Sequence, residues 1–209
     1  TNETLSAARL AAMLSQVCYD LYGQKPGDDT TVAVTRVIRR QVVNIFTGPP
    51  SRKEDDERVV HDFMKQEGKK VICGGTSANV ASRVLKREIV TLVKHADPKI
   101  PPMATMEGLD LVTEGVLTIG SALDLLHRYE NDEFDEAFFD ALDAENGAAK
   151  LARLLIEECT DLNLFVGRAL NPAHQNSNLP FDLSVRMNLV EQLKDCAERM
   201  GKHVTVKYY

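Results

Sequence analysis

The chain lacks a long apolar run, a paired-cysteine motif and an excess of basic residues. Its apolar stretches are short and interrupted, so we expect no membrane helix, and no signal peptide is recognisable at its start. The net charge of -6 disfavours nucleic-acid binding, which needs a basic stripe. The cysteines form no CxxC pair, which predicts buried free thiols in a reducing cytoplasm and disfavours a zinc site; they are Cys18, Cys73, Cys159 and Cys196.

Two catalytic signatures are also missing. Without a G-x-S-x-G elbow no Ser-His-Asp constellation can be proposed, and the G-x-x-x-x-G-K-[ST] phosphate loop does not occur. No segment repeats at a fixed period, which argues against a solenoid. The hydrophobic content of 44% and charged content of 27% are ordinary for a soluble globular protein.

Short apolar runs alternate with helical patterns along most of the chain. The runs "KKVICGG", "LDLVTEG", "DLNLFVG" and "KHVTVKYY" each predict a strand, and amphipathic segments between them predict helices. Such alternation predicts an α/β fold with a mostly parallel, Rossmann-like sheet and helices on both faces. Before this part, "LSAARLAAMLSQVCYDLYG" predicts a helix and "TTVAVTRVIRRQVVNIFTG" one or two strands.

An acidic pair, Asp28 and Asp29, follows a Pro-Gly turn at the start of that predicted strand region. Aspartate after Pro-Gly is a common turn formula, in which the carboxylates bond nearby backbone. Carboxylates at a strand end also suit a hard divalent cation such as Mg²⁺ or Mn²⁺. The residues alone leave both interpretations open.

The run "YGQKPGDDTTVAVTRV" and the helix before it resemble the C-terminal end of the stage II sporulation protein E family. These are PPM-type serine/threonine phosphatases that depend on Mn²⁺ or Mg²⁺ and act on phosphoproteins. The resemblance implies that Asp28 binds the metal and that Asp29 and Thr31 support it. The family's catalytic centre also needs aspartates from earlier strands, so we expect this chain alone to be inactive.

The resemblance also suggests a division of the chain. Residues 1–46 would be the C-terminal fragment of a PPM-type phosphatase domain, and residues 47–209 an α/β ligand-sensing or regulatory domain. Segments such as "KKVICGGTSANVASRVL" and "NPAHQNSNLP" are similar to an extra C-terminal domain attached to some bacterial phosphatases of this group. That similarity implies no function for the second domain.

Three polar, glycine-containing loops each follow a predicted strand: "GGTSAN", "TEGVLT" and "GRALNPAHQ". Loops at the carboxyl ends of parallel strands converge on a crevice, so we expect a site for a small anionic ligand there. Its candidate residues are Gly74, Gly75, Thr76, Ser77, Asn79, Glu114, Asn171, His174 and Gln175. Each also has a simpler interpretation: a turn with an N-cap at Thr76, a helix cap at Glu114, and an exposed loop histidine at His174.

Two further hypotheses stay open. The α/β domain could itself be an enzyme on a phosphorylated or nucleotide-like small molecule, with Glu114 or His174 as general base. It could instead be an interaction or homodimerisation module that uses the segment "NDEFDEAFFDALDAEN", where Phe134, Phe138 and Phe139 alternate with acids. The usual meaning of such a segment is a solvated helix with one apolar face.

Overall fold

The computed structural model describes residues 5–25, 27–92, 101–169 and 181–209. Seven α-helices lie in these ranges: α1 Ala7–Leu21, α2 Asp56–Met64, α3 Gly75–Leu85, α4 Val116–Glu130, α5 Glu136–Asp143, α6 Gly147–Arg153 and α7 Phe181–Arg199. Seven strands form one sheet: β1 Val42–Thr47, β2 Lys69–Cys73, β3 Val90–Thr91, β4 Ala104–Thr105, β5 Leu111–Thr113, β6 Asp161–Val166 and β7 His203–Tyr208. A single 3₁₀ turn, Lys53–Asp55, precedes α2, and a π-turn, Leu154–Glu158, follows α6.

The sheet is mixed but mostly parallel, with the order β3-β4-β5-β2-β1-β6-β7. Strands β5, β2, β1, β6 and β7 run parallel, whereas β3 and β4 form an antiparallel extension next to β5. The chain starts in the centre at β1, builds outward through β2 to β5, and returns to the other side of β1 with β6. This doubly wound order confirms the predicted α/β class and places a topological switch point between β1 and β6.

Alternating side chains of the central strands divide the core into two layers. On one face, Ile45 and Leu164 pack beneath the cluster formed with α4, α5, α6 and α7. On the other face, Phe46, Ile72 and Phe165 pack with residues of α2 and α3. Because successive strand residues point to opposite faces, helices are needed on both sides of a sheet that is apolar on both.

The segment before β1 differs from its prediction. Residues 30–41 form no strand, so the predicted strand region begins only at Val42. Alternating β-branched residues favour a strand only where a neighbouring strand satisfies their backbone, and no described strand pairs with this stretch; Val37 is 95% exposed. The predicted division between residues 46 and 47 falls inside β1, which is the central strand of the sheet.

Helix α1 contacts the α/β unit mainly through one arginine. Arg9 Nη2 lies 2.5 Å from Asp143 Oδ2 and donates to the Phe139 carbonyl at 3.3 Å, and its guanidinium lies over the Phe139 ring. No α1 residue is buried, and Met13, Leu14 and Val17 are largely exposed. In the described residues, no helix is both long enough and apolar enough to cross a membrane.

The acidic aromatic segment forms α5 and the turn before it. Phe138 is fully buried, and Phe134 and Phe139 are partly buried against the same core layer. Asp135 caps α5 by accepting from the Phe138 backbone N–H at 2.7 Å. The segment is therefore a helix whose apolar face points into the core, which is the usual meaning of such a pattern.

Candidate ligand-binding site

A cavity of about 340 Å³ opens at the carboxyl ends of the parallel strands. We call it the strand-end cavity; its lining comprises residues 47–49 at the end of β1, 73–77 from the end of β2 into α3, 114–117 from the turn after β5 into α4, and Arg186 of α7. Because β1, β2 and β5 are parallel neighbours, the turns that follow them meet at one edge of the sheet. A volume of this size suits a small molecule.

The turn between β2 and α3 is built on glycine. Gly74 has φ +137° and ψ 125°, a conformation that residues with a Cβ rarely adopt. Its N–H donates to the Thr113 carbonyl at 2.9 Å, which continues the pairing of β2 with β5. Its carbonyl accepts from Ala78 N–H at 2.9 Å and so closes the first turn of α3. Gly74 thus turns the chain directly from the strand into the helix.

The two turns that follow β2 and β5 are in direct contact. A Cβ built on Gly115 would lie 3.4 Å from the Cα of Gly74. Gly74 and Gly115 are the N-caps of α3 and α4, and neither helix end has a side-chain cap. The first N–H groups of both helices therefore lie beside one cavity, where an anion can satisfy them.

Ser77 provides a second, independent sign of a ligand. This residue lines the cavity and is fully buried, yet its Oγ has no hydrogen-bond partner among the described residues. A buried hydroxyl without a partner costs roughly 1–3 kcal/mol. Native structures keep such groups rarely, and a ligand atom that bonds Ser77 Oγ would remove the cost.

Arg186 supplies a positive charge to the same cavity. Its side chain reaches from α7 and is 7% exposed. Its Nη2 donates to the Ala169 carbonyl at 2.7 Å, which holds the guanidinium beside the turn after β1. A Cβ on Gly48 would lie only 2.8 Å from Arg186 Nε, so the arginine passes closely over that turn.

Glu114 is an exposed carboxylate at the mouth of the cavity, and Cys73 lies on its floor. Burial raises the pKa of Cys73 to about 12; the Thr113 hydroxyl offsets part of this effect, and the charge of Glu114 adds to it. A thiol with this pKa stays protonated at neutral pH and is a poor nucleophile. Cys73 therefore contributes packing, whereas Glu114 contributes a negative charge at the mouth of the cavity.

The structure brings together five of the residues predicted from the sequence: Gly74, Gly75, Thr76, Ser77 and Glu114. Asn79 is exposed on α3 and does not line the strand-end cavity, so its predicted part in ligand binding stays a prediction. Most of the third loop of the predicted crevice, from residue 170 onward, lies outside the described residues, and with it Asn171, His174 and Gln175.

Eight lining residues were not among the predicted site residues; Gly48, Pro49 and Arg186 are among these and come from other parts of the chain. The first two belong to "TGPP", which reads as a linker. A signal for Arg186 does exist, because α7 buries Val190, Leu193 and Ala197 on one face and Arg186 continues that face at helical spacing. An arginine within an otherwise apolar face indicates a charge that is buried on folding and needs polar partners there.

The turns after β1 and β6 also touch. A Cβ on Gly167 would lie 2.1 Å from the Pro49 carbonyl oxygen and 2.3 Å from that of Gly48. Glycine is required at position 167 because main chain from the other turn occupies the place of a side chain. This contact sets the base of the cavity at the switch point of the sheet.

Asp28 and Asp29 do not line the strand-end cavity. Both are exposed, and Asp28 Oδ1 accepts from the backbone N–H of the next residue, Asp29, at 2.9 Å. Mg²⁺ requires about six oxygen ligands in octahedral geometry, so this pair fits a metal site only as a part of it. No described cluster of potential ligands includes either residue.

The cluster His127, Glu130 and Cys196 is the one group of potential metal ligands found in the described residues, with ligand atoms within 4.8 Å. Spacing in the sequence missed it because Cys196 comes from α7. Arg199 binds both Glu130 oxygens, at 2.8 and 3.0 Å, and burial together with Glu130 raises the pKa of Cys196 to about 12. A protonated thiol and an occupied carboxylate make this an ion-pair network between α4 and α7.

A larger depression of about 720 Å³ lies at the amino ends of β2 and β5, beside α1. Most of its charges pair with one another, as in Lys69 with Asp110 and Lys150 with Glu145. The strand-end cavity is therefore the better candidate for a charged ligand. No family model, curated protein or solved structure matches this chain.

Proposed function

We propose that the α/β unit binds a small anionic ligand in the strand-end cavity and thereby regulates a bacterial signalling serine/threonine phosphatase of which it is the C-terminal region. The single observation that carries the ligand proposal is the buried, unpartnered Ser77 Oγ beside two uncapped helix N-termini. Each N-terminus carries a partial charge of about +0.5, and both lie at the same cavity. An anion can accept from the N–H groups of both helix ends and from Ser77 Oγ at once.

The phosphatase part of the proposal is supported by the resemblance of "YGQKPGDDTTVAVTRV" to the stage II sporulation protein E family. Asp28 would supply one ligand to Mn²⁺ or Mg²⁺, and the remaining ligands would come from other parts of a larger cytoplasmic protein that acts on phosphoproteins. The metal would activate water for attack on the phosphoester. The chain alone should give background rates with Mn²⁺, and clear turnover would contradict this proposal.

The two rival hypotheses have less support. A docking surface on the acidic aromatic segment would need exposed rings, and Phe138 is buried while its neighbours pack inward. An enzyme in the cavity would need a nucleophile or a general base. The pKa of Cys73 is raised to about 12, which disfavours it as a nucleophile, and the predicted base His174 lies outside the described residues. The described part of the cavity therefore supports binding more than chemistry.

Inorganic phosphate is the simplest probe of the site. At 100 times its dissociation constant, a ligand stabilises the folded state by about 2.7 kcal/mol, which raises the melting temperature by roughly 5–10 °C for a chain of this size. We expect such a rise with phosphate by differential scanning fluorimetry, and a smaller one with chloride at equal ionic strength.

Gly75→Asp is the variant that tests the location. A Cβ at Gly75 meets nothing within 4 Å, and an acid in the first turn of α3 favours the helix, so the variant should fold. Its carboxylate would repel phosphate and abolish the shift. Asn79→Asp adds the same charge to the same helix outside the cavity and should respond like the unaltered chain. Equal responses from both variants would refute the site.

A further inference from the structure

We infer that β7 pairs with β7 of a second copy of this chain, in antiparallel orientation, so that two sheets join across a twofold axis. β7 is six residues long and ends the sheet, with β6 as its neighbour on the inner side. A strand at a sheet edge presents unpaired N–H and C=O groups that another strand can bond. The opposite edge strand, β3, has only two residues and offers few such groups. β7 is therefore the edge with the capacity to pair.

The outer edge of β7 carries the backbone groups of Val204, Val206 and Tyr208. His203 N–H and, directly after the strand, Tyr209 N–H donate toward β6, to carbonyl groups at 3.0 and 2.9 Å. Because alternate residues of a strand bond to the same neighbour, the odd-numbered residues of β7 face β6 and the even-numbered ones face away from the sheet. Among the residues that the structure describes, none hydrogen-bonds to these outward groups. A second strand can therefore bond them without disturbing the existing sheet.

One antiparallel register satisfies all of the outward groups. With the twofold axis at Val206, that residue exchanges N–H···O bonds with its own counterpart, and Val204 exchanges them with Tyr208 of the second copy. An axis one residue earlier would pair Tyr208 with Lys202, whose N–H already donates inside the chain at 2.9 Å. An axis one residue later would set Lys207 opposite Lys207 of the copy, and like charges directly opposite are destabilising. The strand is therefore complementary to itself in the register centred on Val206.

The side chains also match in this register. On the face toward α7, Val204 is partly buried against the core, and Tyr208 is 40% exposed and would cover Val204 of the second copy. Pairs of an aromatic with a β-branched residue across two strands stabilise a sheet. On the other face, Lys207 would lie opposite Thr205, so no like charges meet. Lysine often protects sheet edges, but the Lys207 ammonium lies over the ring of Phe165 in β6, 5.5 Å from its centroid, and leaves the edge accessible.

Self-association of the whole 209-residue chain tests the inference by sedimentation velocity over a range of concentrations. A single strand pair buries less surface than a standard interface, so we expect a monomer–dimer equilibrium with a dissociation constant of about 1–100 µM. Val206→Pro should abolish the dimer, because it removes an N–H that only the second copy bonds. Edge strands accept proline where the N–H faces outward, so this variant should still show a cooperative melt.

Two charges introduced at Thr205 give a sharper test, since its side chain is exposed and its backbone bonds are kept. Thr205→Lys would oppose Lys207 of the copy twice in each dimer and should weaken association about 3- to 30-fold. Thr205→Glu should strengthen association by a similar factor. The chain has a net charge of -6, so a general charge effect would have the reverse sign, because an added lysine lowers the repulsion between copies. Asn79→Lys on α3 makes the same charge change away from β7 and should not weaken association.

A chain that stays monomeric up to about 300 µM would overturn the inference, because that concentration exceeds the expected dissociation constant. A dimer that persists in folded Val206→Pro would overturn it as well. So would Thr205→Lys and Thr205→Glu if they shift the affinity in the same direction or not at all. Opposite shifts in the stated directions support the twofold pairing at β7, and they decide the question alone if Val206→Pro does not fold.

Discussion

Ser77 and Thr118 form a natural comparison at the scale of single residues. Both side chains are fully buried, and neither Ser77 Oγ nor Thr118 Oγ1 has a hydrogen-bond partner in the described part of the chain. Ser77 lines the strand-end cavity, whereas Thr118 lies one turn into α4 and does not line it. A buried hydroxyl without a hydrogen-bond partner therefore occurs once in the lining of the cavity, at Ser77, and once outside it, at Thr118.

We expect Ser77→Ala to raise the free energy of unfolding of the ligand-free chain by up to about 1 kcal/mol, because it removes a buried polar group that has no partner. The same change should weaken phosphate binding about tenfold. Thr118→Val is the matched variant: it should stabilise the chain similarly and leave phosphate binding unchanged. Urea unfolding with and without phosphate measures both effects.

A loss of stability in Ser77→Ala would mean that the hydroxyl already has a partner in the folded chain. Equal phosphate affinity in Ser77→Ala and the unaltered chain would remove Ser77 from the site. A substitution that raises stability and weakens ligand binding is the expected result at a residue that is kept for function.

At the scale of elements, the beginning of β6 is tied to the segment before β1. Arg40 donates Nε and Nη2 to the two Asp161 oxygens at 3.0 and 2.8 Å, and Thr160 Oγ1 donates to the same carboxylate at 2.7 Å. The Arg40 hydrogen bonds, with help from Thr160, lower the pKa of Asp161 to about 2. This carboxylate therefore stabilises the fold in its ionised form.

The free energy of unfolding should accordingly depend on pH in the acidic range. The pKa of an aspartate in the unfolded chain is about 3.9, so the contribution of Asp161 is fully present above about pH 4 and is lost as the pH falls toward 2. Asp161→Asn should reduce the slope of unfolding free energy against pH in this window, as measured by urea unfolding.

Arg40→Ala should lower stability at pH 6 and have less effect near pH 2, where Asp161 becomes protonated. Arg39→Ala removes a neighbouring exposed arginine that has no ion pair in the described residues, and it serves as the control. An identical acid profile for Asp161→Asn and the unaltered chain would contradict this assignment.

The elements themselves were predictable to different degrees. Strands β2, β6 and β7 and helices α3, α4 and α7 follow their sequence patterns because each has a complete apolar face. The short strands β3 and β4 could not be predicted with these bounds. The run "REIVTLV" predicts a strand longer than the two residues of β3, and β4 lies in a stretch that predicts a proline-rich loop. Two-residue strands depend on their partner rather than on their own sequence.

The candidate site shows the same contrast. Convergence of the turns after β2 and β5 follows from parallel pairing alone, so Gly74 and Glu114 could be placed at one edge from the sequence. Arg186 reaches the cavity from α7, far along the chain, and only the three-dimensional packing of α7 brings it there. The helical spacing of Arg186 places it on the buried face of α7, but it does not tell which turns of the sheet that face meets.

At the scale of the whole molecule, β1 decides where the α/β unit begins. It pairs with β2 over Val43–Thr47 and with β6 over Val42–Thr47. Without β1 the sheet would separate into two halves, each with an unpaired inner edge. The unit therefore needs residues from about 40 onward, including the arginine that bonds Asp161.

We expect residues 40–209 to unfold in one cooperative transition at nearly the melting temperature of the full chain. Residues 48–209 should be insoluble or lack a cooperative transition, because the core layers on both faces lose their central strand. Circular dichroism melts of the two pieces make the comparison. Cooperative folding of residues 48–209 would show that the α/β domain begins where the sequence division placed it.

The main-chain contact between Gly48 and Gly167 has a consequence for protein engineering. A library aimed at new specificities must keep both glycines, since any side chain there would push the two turns apart. Thr76 and Glu114 stand on the outer wall and are exposed, so they can be randomised without moving the backbone. Ligand specificity can thus be changed at these two positions while the backbone of the turns after β1 and β6 is kept.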